Sequence, residues 1–201
     1  QLAVPLPVAN EARDVDLDVE VSGRAKHRLR FRQEPIKPWT VYLVQHTHTD
    51  IGYTRPQTEI LPEHLRFIDY ALDFCDETDD WPDAARFRWT CEASWPVREY
   101  LCSRPPEQIA RLRRRVREGR IELTGMMFNL SELPDEAALL ALLEPIQRLD
   151  EAGLPVRLAM QNDVNGLAWS LADALPSVGV DAFVMGQHAH RALVCFERPT
   201  A

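Results

Sequence analysis

The sequence predicts an α/β protein: part of a (β/α) barrel, preceded by a short β-hairpin. Three observations predict it. From Thr40 on, apolar strand candidates alternate with helical stretches, the pattern of parallel strands joined by crossover helices. Five such strands can be read in 201 residues, whereas a closed barrel of this kind takes about 250. Before Thr40, two runs of alternating polarity flank a glycine, which is a hairpin signature.

Taken in order, residues 1–14 are proline-rich and aperiodic, and read as an extended arm. Asp16-Leu17-Asp18-Val19-Glu20-Val21 alternates, Gly23 breaks the run, and His27-Arg28-Leu29-Arg30-Phe31 alternates again. Such strands pair antiparallel with one solvated face. Pro35, Lys37 and Pro38 form a linker. We expect residues 1–37 to be an arm and the tail of an N-terminal β domain, and residues 38–201 to be the N-terminal portion of a barrel. Within the latter the strand candidates are 40–46, 86–91, 121–125, 157–161 and 181–185. Helical patterns lie between them at 61–77, 96–118 (broken at Pro105-Pro106), 135–152 and 168–177. Pro134-Asp135-Glu136 opens the third helical stretch with acids in its first turn, and Gly153 closes it. The last residues read as a loop after the fifth strand. An open doubly wound sheet is the alternative, but the first strand-to-helix junction has no glycine-rich phosphate loop.

A net charge of −8 argues against nucleic-acid or anionic-membrane partners, which need a basic face. The basic run Arg111-Leu112-Arg113-Arg114-Arg115 reads as a solvated helix face. Cys75, Cys91, Cys102 and Cys195 form no CxxC pair and read as reduced thiols. No stretch is long and apolar enough to cross a bilayer, and no signal peptide is visible, so a cytoplasmic setting is favoured. The chain does not begin with Met and reads as processed or as a piece of something longer.

In barrels of this kind the reactive groups lie at the C-terminal ends of the strands. The first strand ends in His46-Thr47-His48-Thr49-Asp50. Five of the eight residues from Thr40 to Thr47 are β-branched or aromatic, which favours a strand. Alternation along it turns His46, His48 and Asp50 the same way. Two imidazoles and a carboxylate make half of a Zn²⁺ site; a polar strand end whose histidines cap a loop is the plainer alternative. Asp163, after Leu158-Ala159-Met160, is the carboxylate best placed to complete the site, unless Asn162-Asp163-Val164-Asn165-Gly166 is only a turn. Glu92 is either an acid supporting the site from behind or a surface residue. Trp89, Trp95, Phe128 and Trp169 are either core residues or platforms for a sugar ring. His188 and His190 are ligands, substrate contacts or plain loop residues.

His46-Thr47-His48-Thr49-Asp50-Ile51-Gly52-Tyr53 resembles the His-x-His-x-Asp-x-Gly-aromatic motif on the first barrel strand of the glycoside hydrolase family 38 α-mannosidases. The likeness continues at Gly119-Arg120-Ile121-Glu122-Leu123-Thr124-Gly125. Asn162-Asp163-Val164-Asn165-Gly166 resembles the Asp-x-x-Gly nucleophile motif. Val178-Gly179-Val180-Asp181-Ala182-Phe183, followed by Met185-Gly186, is similar to the next strand. The resemblance runs from about residue 38 to 201 and keeps the order of the motifs. It implies a seven-stranded barrel of the family 38 type, Zn²⁺ held by His48, Asp50 and Asp163, and Asp163 as the nucleophile of a retaining reaction on an α-mannoside or oligosaccharide. His46 is implied as a neighbour of the metal, and Glu92, Trp95, Asn129 and His190 are candidates for substrate binding or for support of the ligands.

Two departures stand out. Family members often carry Pro-Phe-Gly-His-Ser after the nucleophile, where this chain has Leu167-Ala168 after Gly166. The family's acid/base aspartate and fourth zinc ligand, a histidine, belong further along than Ala201, so the partner expected first is the missing C-terminal part of the same enzyme. The 201-residue chain alone is expected to be inactive; self-association stays open. The rivals are a metal-dependent hydrolase of amidohydrolase type, which wants histidines at later strand ends, and a non-catalytic carbohydrate-binding fragment.

Overall fold

The computed structural model describes residues 5–21, 23–130, 134–164 and 166–188. It falls into two compact units, Gln1–Leu43 and Val44–Ala201. In the first, β1 (Arg13–Val21) and β2 (Arg24–Gln33) pair antiparallel as expected, with Val15 opposite Phe31 and Leu17 opposite Leu29. The polar positions pair by charge: Asp18 lies opposite Arg28 and accepts two hydrogen bonds from it (2.8 and 3.0 Å).

The second unit is a curled half-barrel of five parallel strands in the order β3-β4-β5-β6-β7. They are His46–Thr47, Trp89–Cys91, Ile121–Gly125, Leu158–Val164 and Ala182–Gln187. The helices are α1 (Gln57–Glu77), α2 (Ser94–Ser103), α3 (Pro106–Arg117), α4 (Glu136–Ala141), α5 (Glu144–Glu151) and α6 (Leu171–Ser177). Among the described residues no helix is long and apolar enough to cross a membrane.

Two expectations about extents need correction. The first barrel strand spans two residues rather than 40–46, and Val41, Tyr42, Leu43 and Val44 are exposed. Its neighbour β4 has three residues, because the Phe87 N–H before it donates to the Thr78 hydroxyl (3.1 Å) and the Phe87 carbonyl accepts from Arg120 (2.7 Å) in place of ladder bonds. The ladder therefore starts at the Thr90 N–H to Gln45 carbonyl bond (2.8 Å) and has no partner backbone to offer earlier residues. The helical pattern at 135–152 is two helices. Pro145 has no N–H to continue α4 and sits instead in the first turn of α5, where none is needed. Asp135 caps α4 by accepting from Ala138 N (2.9 Å).

The core lies between the sheet and its helices. Ile68 and Leu72 of α1, Tyr100 of α2, Leu112 of α3, Ile121 and Leu123 of β5, and Ile146 and Leu149 of α5 are all fully buried. Each such aliphatic side chain contributes roughly 1.5–3 kcal/mol. Gly125 ends β5 where α5 comes closest: a Cβ there would lie 2.8 Å from Ile146 Cδ1. The basic run on α3 is more than a solvated face. Arg115 is buried and is clamped by Asp76, Asp79 (2.6 Å) and Glu118 (2.7 Å), while Arg120 binds Asp79 (3.0 Å) and the Thr78 hydroxyl (2.6 Å).

Candidate metal centre

Residues at or just after the ends of β3, β4, β5 and β6 bring polar groups to one place, and Glu92 is where they meet. It follows β4 directly, and its carboxylate is fully enclosed. One oxygen, Oε2, accepts from His46 Nδ1 (2.8 Å) and Asn162 Nδ2 (3.1 Å). The other, Oε1, accepts from His48 Nδ1 (2.9 Å), the Thr49 backbone N–H (3.3 Å) and Asn129 Nδ2. Burial pushes the Glu92 carboxyl up. The hydrogen bonds from His48, Asn129 and Asn162 outweigh that and hold it down at about 2. An ionised Glu92 has no proton to give, so both histidines must carry theirs on Nδ1.

That orientation turns the other nitrogen of His48 outward. Its Nε2 lies 3.2 Å from Asp50 Oδ1 and 3.9 Å from Asp163 Oδ2. One ligand atom from each of His48, Asp50 and Asp163 falls within 4.8 Å of the others. The hydrogen bond to Glu92 raises the His48 imidazole to about 9, burial opposes this, and the charges of Glu92, Asp50 and Asp163 add to it.

Asp163 reaches this place through a backbone irregularity. Asn162 pairs with Gly186 and Val164 with Gln187, so Asp163 is the extra residue of a bulge in β6, and its φ is +57°. Neighbours on a regular strand point to opposite faces. The bulge lets consecutive side chains serve one site, Asn162 on Glu92 and Asp163 beside His48. His188 Nε2 stands 3.7 Å from the other Asp163 oxygen. A cleft beside the cluster is lined by Thr49, Asp50, Tyr53, Phe128, Asn129 and Asp163.

Residues 38–198 match the glycosyl hydrolases family 38 N-terminal domain. The chain belongs to this family. An α-mannosidase from Enterococcus faecalis V583 is similar in fold, with 17% identity and a TM-score of 0.58 over 71% of this chain and 16% of that one. A glycosyl hydrolase family 38 protein from Enterococcus faecalis is similar too, with 17% identity and a TM-score of 0.54 over the same shares. The chain thus spans 16% of the length of these structures. No curated protein sequence matches it.

Family 38 membership sets the first-strand motif apart from amidohydrolases and gives the half-barrel its frame. Of the residues singled out from the sequence, the fold brings His46, His48, Asp50, Glu92, Asn129 and Asp163 together. Trp95 is 2% exposed and packs on Phe128 with centroids 5.9 Å apart, so its ring supports the cleft wall instead of facing the cleft. His190 lies outside the described residues. Asn162 and Gln161 were not singled out. Gln161 is fully buried, donates to the Phe128 carbonyl (2.6 Å) and accepts from Leu130 N (2.8 Å), fixing the segment that carries Asn129. The signal was available in the polar run Gln161-Asn162-Asp163 at a strand end.

The donor set fits a divalent cation of zinc type. It offers one imidazole nitrogen and two carboxylates, and the imidazole is backed by a carboxylate on its far nitrogen, the arrangement that orients metal-binding histidines.

Proposed function

We propose that the chain supplies the nucleophile and three zinc ligands of a retaining α-mannosidase acting on α-linked mannose in oligosaccharides. Residues 38–201 would begin its catalytic barrel, and residues 1–37 would close an N-terminal β domain. The observation that carries this is the cluster of His48, Asp50 and Asp163 at the mouth of a family 38 half-barrel. These three residues would hold the zinc. When bound, zinc supplies a Lewis acid that polarises sugar hydroxyls and favours distortion of the ring.

The chain's own residues do the rest. Asp163 is half exposed and borders the cleft, as a nucleophile must be. One of its carboxylate oxygens attacks the anomeric carbon, the glycosidic bond breaks, and the sugar is held as an ester until water releases it with retained configuration. Asp50 lines the same cleft beside Asp163. The departing oxygen needs a proton. Glu92 cannot give it, because hydrogen bonds from His48, Asn129 and Asn162 outweigh burial and keep that carboxyl ionised. Asp163 and Asp50 are committed to attack and to the metal. The family 38 resemblance implies that the acid is supplied by further chain of the same enzyme, so no turnover is expected of the 201-residue polypeptide alone.

Two measurements test this. Zinc binding to the chain is compared with that of His48→Ala and Asp163→Ala. About one zinc in the wild type and loss in both variants supports the reading; zinc that survives Asp163→Ala refutes it. Hydrolysis of an aryl α-mannoside is then assayed with the chain alone, where no turnover is expected. Turnover at an ordinary enzymatic rate would overturn the assignment of the proton donor.

A further inference from the structure

Glu92 is a costly residue to place where it is. A carboxylate taken wholly out of water loses hydration that only charged or well-aimed donors replace. The structure spends five donors on it, from residues 46, 48, 49, 129 and 162. Joining strand ends does not require a charge; neutral side chains such as Gln161 do that nearby. What a carboxylate does that an amide cannot is accept on both oxygens. Here one oxygen accepts from each motif histidine, so both rings are held with Nδ1–H inward.

We infer that Glu92 is the positioning residue of the metal centre: it fixes the tautomer and tilt of His48 so that Nε2 faces Asp50 and Asp163. His46 occupies the second oxygen as a brace, and Asn129 and Asn162 keep the carboxylate from rotating. Asn129 Oδ1 also accepts from the Asn162 backbone N–H (3.1 Å), so the two braces are themselves tied together. This inference rests on the zinc reading above and adds a residue that touches neither metal nor sugar.

The experiment is zinc and Co²⁺ titration of the 201-residue chain and of Glu92→Gln, with circular dichroism as the check on folding. In Glu92→Gln an amide NH₂ faces donors, so one histidine ring must turn. Zinc affinity is expected to fall roughly 10- to 100-fold, with an altered Co²⁺ absorption spectrum and an unchanged far-ultraviolet spectrum. Equal affinity in Glu92→Gln, with loss in His48→Ala, overturns the inference and leaves the zinc reading standing. Zinc binding absent from the wild type overturns both. If Glu92→Gln does not fold, ¹⁵N NMR of the zinc-loaded wild type decides. A proton on His48 Nδ1 with the metal on Nε2 supports the inference, and the metal on Nδ1 overturns it.

Discussion

The bulge at Asp163 makes a prediction whose sign runs against habit. Glycine normally weakens a strand or helix relative to alanine. At Asp163 the backbone has φ of +57°, a region costly for any residue with a Cβ. The cost for an alanine there is about 1–2 kcal/mol. A glycine escapes it but gives back roughly 0.5–1 kcal/mol through the greater freedom of its unfolded chain. Asp163→Gly is therefore expected to be more stable than Asp163→Ala by roughly 0.5–1 kcal/mol. The ion pairs of Asp163 with His48 (3.9 Å) and His188 (3.7 Å) vanish in both variants and cancel. For a chain of this size the difference amounts to roughly 1–4 °C in thermal midpoint. Calorimetry in the presence of a chelator reads it without a contribution from bound metal. An alanine variant as stable as the glycine variant, or more so, would refute the left-handed bulge and with it the account of how Asp163 is aimed. Both variants should lose zinc, which separates the backbone's role from the carboxylate's.

A Cβ built on Gly186 would overlap Asn162 Oδ1. Gly186→Ala should therefore push Asn162 off Glu92 and weaken zinc binding roughly three- to tenfold without touching a ligand; calorimetric titration showing unchanged affinity would exclude the brace. Arg115 first, opposed by burial and helped by Arg120, holds the Asp79 carboxyl at about 2, below its ordinary 3.8. Burial pushes Asp76 up, but Arg115 and Arg111 outweigh it and hold that carboxyl down as well. Their support for the fold is complete above about pH 4 and is lost as pH falls toward 2. The thermal midpoint should drop across that window, and less steeply in Asp79→Asn; parallel curves would discount the clamp. Leu112 is fully buried between α3 and its neighbours, so Leu112→Ala should cost about 3 kcal/mol in urea unfolding. A loss under about 1 kcal/mol would mean that the α3 face is not part of the core.

How much of this the residues revealed depends on whether the cause was local. Residues 121–125 read as a strand and are one, because Ile121 and Leu123 alternate with Glu122 and Thr124 and are both buried. The break at Pro105-Pro106 became the boundary between α2 and α3. The run at 40–46 was read too long, since its composition favours a strand while its length is set by the shortness of β4. His48, Asp50 and Asp163 stand out by type and order as candidate ligands, and the fold brings them together. The aim of Asp163 was not, because Asn162-Asp163-Val164-Asn165-Gly166 suggests a turn at its glycine rather than a bulge at its acid. Glu92 was hardest to read. The sequence around it leaves a supporting acid and a surface residue equally open, and its meaning comes from donors up to 70 residues away in sequence.

That reach has a consequence for assembly. Glu92 is satisfied only once segments from residue 46 to residue 162 have docked with the right neighbours. Slide β6 by one residue and the position of Asn162 can be taken by Asp163, which would set a second negative charge against a carboxylate shut away from water. A misaligned sheet thus penalises itself at the very point where it would otherwise close. The buried acid works as a proofreader of strand alignment, rejecting the near-miss folds in which a metal-binding pocket would be built slightly wrong.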